Sequence, residues 1–97
     1  MADWKKFHEA LLAWPEKKLG WGAYALAPGY CAMGAAVKSV RPEAVGAWDS
    51  WLRTEFGFTG SDRVEVSTTN DKNKEETPEQ RYERMCAWGK NRAAEPG

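Results

Sequence analysis

Histidine and cysteine are scarce in this chain: there is one of the first and two of the second. His8, Cys31 and Cys86 lack the paired spacing of zinc motifs, and three scattered donors do not make a structural site. No metal and no cofactor are expected. Two cysteines so far apart do not form a disulfide scaffold. A bridge between Cys31 and Cys86 would require the helices that carry them to pack together. Neither sign of charge is in excess, with fourteen Lys and Arg against fourteen Asp and Glu. A neutral chain has no global field to attract DNA or RNA, and none to imitate them, so a nucleic-acid partner is not expected. A bilayer-spanning run is also missing. The uncharged stretch from Leu19 to Val37 is interrupted by Gly20, Gly22, Pro28 and Gly29, and Pro-Gly is a turn signal that splits it. The start, Met1-Ala2-Asp3-Trp4-Lys5, leads into an amphipathic pattern and not a signal peptide. Reduced thiols and a cytoplasmic setting are the expectation.

Tryptophan, by contrast, is plentiful. Trp4, Trp14, Trp21, Trp48, Trp51 and Trp88 are spread along 97 residues, as core anchors of one small domain would be. Gly29-Tyr30-Cys31-Ala32-Met33-Gly34-Ala35-Ala36-Val37 is small and apolar on every side, which marks a helix enclosed by others.

In chain order, Trp4, Phe7, His8, Leu11 and Trp14 share one stripe of a first helix over 3–14, capped by Asp3 and ended by Pro15. Residues 21–27 read as a short extended segment or a helical turn. A second helix, over 30–40, is central. Arg41-Pro42-Glu43 opens a third, whose stripe is Val45, Trp48, Leu52 and Phe56, with Asp49 inside the stripe and Gly57 as its stop. From Phe58 to Asn73 the pattern is irregular. Val64, Val66 and Thr68 alternate with Glu65 and Ser67, which suits one short strand over 63–68. Thr77-Pro78-Glu79-Gln80 is a capping box with proline at the first position, and a fourth helix follows to about Arg92, leaving 93–97 as a tail. The reading is a single all-α domain over 1–97: four compact helices, the central one buried by the other three, with at most a minor β element near 21–27 or 63–68.

The succession Gly20-Trp21-Gly22, Tyr30-Cys31-Ala32-Met33-Gly34-Ala35 and Asn70-Asp71 before Thr77-Pro78-Glu79-Gln80 resembles a family of small uncharacterised bacterial and bacteriophage proteins. That family is marked by a Gly-Trp element, a Cys-Ala-Leu-Gly-Ala helix and an Asn-Asp pair. Met33 stands where the family prefers leucine, and the segment before Asn70 is more polar than usual. The resemblance implies a mostly helical domain of phage or prophage origin and brings no activity or catalytic residues with it.

Candidate chemistry is thin. Cys31 at the start of the second helix, with His8 and Asp49 in apolar stripes, would make a nucleophilic site if the three met. The plainer reading is a buried thiol and a structural His and Asp. Asn70-Asp71 is a turn or cap, or a polar contact for a partner. Arg81, Arg84, Lys90 and Arg92 read as a solvated helix face diluted by Glu79 and Glu83. Trp51 and Trp88, at stripe edges, are candidates for an exposed aromatic contact. The reading that follows is a non-enzymatic protein-binding module acting on a host protein, of the class that includes inhibitors of a host defence complex. A thiol-dependent enzyme using Cys31 and His8 and a homo-oligomeric structural protein are the alternatives.

Overall fold

A computed structural model describes residues 2–22, 25, 26 and 29–95. Among them the chain is mostly helical: α1 (Trp4–Ala13), strands β1 (Ala25–Leu26) and β2 (Gly29–Tyr30), then α2 (Ala32–Val40), α3 (Trp48–Phe56), α4 (Gly60–Asn70) and α5 (Pro78–Ala94). The strands pair antiparallel, Ala25 opposite Tyr30 and Leu26 opposite Gly29. No helix among the described residues is long and apolar enough to cross a membrane.

α1 starts where expected. The Asp3 carboxylate accepts from the Lys6 amide at 2.9 Å, and the Asp3 amide donates to the Phe56 carbonyl at 2.7 Å. That second bond ties the first turn of the chain to the end of α3. Phe7 and Leu11 are fully buried. Phe7, Phe56 and Phe58 meet with ring centroids 5.2 to 5.7 Å apart. Trp4 covers this cluster, 4.7 Å from Phe58, and Trp88 meets Trp4 edge-on at 5.5 Å. Such aromatic contacts add to the burial that holds a small core together.

α2 is the interior helix. Ala32 through Val37 are all buried, and α1, α3 and α4 pack on it. α5 lies chiefly against α1, so the final helix covers α1 and not the central rod. Small side chains suit α2 because they let three helices approach one axis closely.

The four-helix expectation needs three corrections. The segment over 63–68 is helix, not strand. Thr59 and Asp62 form a capping box, with the Asp62 amide donating to Thr59 Oγ1 at 3.2 Å and Asp62 Oδ2 accepting from the Thr59 amide at 2.9 Å. Only Val66 and Asn70, one turn apart, are buried, and Val64 points outward. The alternation of β-branched residues was therefore local propensity overridden by a cap and by packing. The third helix begins at Trp48, not near Pro42. Ala47 takes a left-handed φ of 54°, and the Lys38 ammonium, reaching on from α2, donates to the Ala44 carbonyl at 2.9 Å and also to that of Pro42. The proline thus opens a turn whose carbonyls are satisfied from outside, and Val45 is 91% exposed instead of lying in a stripe. Asp49, expected in the apolar face of α3, has a side chain 63% exposed in its first turn.

Residues 21–27 include β1, while Ala23, Tyr24, Ala27 and Pro28 lie outside the described residues, as do Pro96 and Gly97 of the tail. The thiols of Cys31 and Cys86 are free.

Truncating Phe7 to alanine should cost about 3–5 kcal/mol, whereas Val64→Ala should stay within about 0.5 kcal/mol because the site is largely solvated. Urea denaturation followed by circular dichroism checks both.

Candidate functional site

The side chains that occupy the centre of the molecule's polar chemistry belong to short motifs far apart in sequence. Asn70, 1% exposed at the end of α4, accepts from the Ala32 amide at 3.0 Å and donates to the Gly20 carbonyl at 3.0 Å and to Asp71 Oδ1 at 2.9 Å. Cys31, the N-cap of α2, makes no side-chain capping bond. Asn70 therefore supplies from another helix the acceptor that α2's first turn lacks. Asp71 Oδ1 also accepts from the Gly22 amide at 3.1 Å. Gly20 allows a close backbone approach: an added Cβ would stand 3.0 Å from the Gly29 carbonyl oxygen, so the neighbouring strand would have to give way.

Around this node lies a second layer of charge. Arg81, fully buried, donates to the carbonyls of Leu19 and Asn73 at 3.0 and 3.1 Å, and its guanidinium lies 5.1 Å from the Trp21 ring centroid. Arg84 donates to the carbonyls of Thr69 and Asn70 at 2.6 and 3.0 Å and grips both Glu76 oxygens. The Arg81 Nε is 3.4 Å from Glu76 Oε1. It is an ion-pair contact without hydrogen-bond geometry, and the one buried side-chain nitrogen or oxygen so left among the described residues. Hydrogen bonds from Arg84, then the charges of Arg84 and Arg81, hold the Glu76 carboxyl below its ordinary range against the opposing effect of burial. The network is closed on itself: it joins Leu19-Gly20-Trp21-Gly22, the start of α2, the end of α4, the polar 71–76 connection and α5.

An open groove begins where the node ends. It has a volume of about 770 Å³ and runs from Gly22 and Met33 along α4 to Asp49 at the start of α3. Gly60, Ser61, Val64, Ser67 and Thr68 line its α4 side, and Arg63 pairs with Asp49 across it at 3.4 Å. Met33 is buried and Val64 is 65% exposed. The surface is small, hydroxyl-bearing and partly apolar. A volume of this order can hold a drug-sized molecule or a few residues of a peptide.

The expected nucleophilic trio does not share one neighbourhood. His8 packs on α5, where a Cβ at Gly89 would lie 3.6 Å from it. Asp49 faces Arg63 of α4. Cys31 is buried, and burial pushes its thiol up, opposed by the amides of Gly34 and Met33 and reinforced by Asp71. Desolvation thus outweighs the lowering that amides at a helix start give a thiol. Cys86 is half-buried, with its thiol also pushed up by burial while Tyr82 and Lys17 pull against that. No group of three or more His, Cys, Asp or Glu among the described residues could hold a metal ion. Trp51 and Trp88 are both half-buried and packed against the core, Trp51 beneath the Arg41 guanidinium at 5.4 Å. Trp21 is the exposed indole.

Compared with protein-family models, with curated proteins and with solved structures, the chain finds no match. Its chemistry is therefore read from its own residues.

Two findings differ from the reading of the sequence. Arg81 and Arg84 are not on a solvated face but satisfy buried and part-buried carbonyls. The groove residues were missed because 63–68 was read as a strand. The signal was present: Thr59 and Asp62 make a box, and from it Ser61, Val64 and Ser67 or Thr68 fall on one helical face.

Asn70→Ala leaves the Ala32 amide and the Gly20 carbonyl without partners and should cost about 3 kcal/mol, against about 0.5 kcal/mol or less for Lys72→Ala, both by denaturant titration. The lowered Glu76 carboxyl stabilises the fold fully above the unfolded-state value near pH 4.5, and that contribution is lost as pH falls through the folded-state value. Glu76→Gln should be less stable than wild type at pH 7, and the gap should narrow as the pH falls below the ordinary carboxylate range, in urea midpoints taken at successive pH values. Under native conditions a maleimide should label Cys86 well before Cys31, with Cys31 reacting on unfolding, as mass spectrometry of the digested protein would read.

Proposed function

We propose that this chain is a small non-enzymatic protein-binding module, and that the groove along α4 is the face it presents. The observation that carries this reading is the groove itself. It combines a solvated valine, a buried methionine, three hydroxyls and an opposed Asp–Arg pair, a composition suited to seating a polypeptide segment. Its lining holds no thiol and no imidazole. Burial pushes the two thiols elsewhere up, away from the lowered range that suits a thiol nucleophile. The partner's matching features would be an apolar side chain set over Met33 and Val64, with main-chain groups within reach of Ser61, Ser67 and Thr68.

The resemblance to small phage and bacterial proteins supplies the setting in this proposal. The partner is then a protein of the bacterial host, and inhibition of a host defence complex is one outcome of such binding. Trp51 is a second contact point in this reading, on the Arg41 side of α3. Asn70 and Asp71 contribute by fixing the strap that ends in Gly22, and not by touching the partner.

The test is affinity capture from bacterial lysate with wild type, Val64→Arg and Trp51→Ala, each shown to be folded by circular dichroism. A protein retained by wild type in stoichiometric amount, lost from Val64→Arg and retained in reduced amount by Trp51→Ala, is the expected result. Loss from Trp51→Ala alone would move the contact to α3. Retention of the same protein by all three would contradict the proposal, as would retention of none.

A further inference from the structure

We draw no further inference here: the strongest candidate, the open groove between α4, the start of α3 and Gly22, belongs to the site already described.

Discussion

The amide side chain of Asn70 is the constraint on which the rest of the structure depends. A helix of small residues can sit inside a domain of this size only if its ends do not bring unsatisfied backbone groups with them. α2 begins at a cysteine that makes no capping bond, and a water molecule is no substitute in a site this enclosed unless room and further polar partners exist. Asn70 answers the first amide of α2 with its oxygen and the Gly20 carbonyl with its nitrogen. One planar group thus fixes the start of the interior helix and the strap that passes over it.

The charged layer follows from the same need. Leu19 offers a buried carbonyl, and Asn73, Thr69 and Asn70 offer part-buried ones; Arg81 and Arg84 satisfy all four. Two guanidinium groups so placed require a counter-charge, because an unpaired buried charge costs several kcal/mol, and Glu76 supplies it. The 71–76 connection is therefore held onto α5 through Glu76 by the charges it neutralises. The functional proposal depends on this arrangement indirectly. The groove borders Gly22 and Met33, and both are positioned by the node, through Asp71 and through the capped start of α2.

Much of the architecture was legible because it rests on local signals. Asp3, the Trp4–Phe7–Leu11 stripe, Pro15 and the Thr77–Gln80 box each specify their element within a few residues, and the enclosed helix announced itself by having no polar face. What was not legible depends on residues that meet only after folding. Asn70 reads as a turn residue because its three partners lie up to fifty positions away. Arg81 reads as surface because the carbonyls that receive it belong to loops. Residues 63–68 suit a short strand in sequence because the buried stripe of α4 contains one valine and one asparagine, and a polar residue does not count towards an apolar period. The groove is hidden in the sequence for the same reason. Gly20-Trp21-Gly22, the start of α2 and Asn70-Asp71, three motifs far apart in sequence, are brought into one hydrogen-bonded network by the structure.

Native-state hydrogen exchange at the Ala32 amide tests the central claim most directly. As the first amide of α2 it has no partner within its own helix, so its protection reports the Asn70 bond alone. The account predicts exchange as slow as that of Ala35 and Ala36 in the buried body of the helix. Exchange at the rate of an open helix end, with Ala35 and Ala36 still protected, would contradict it.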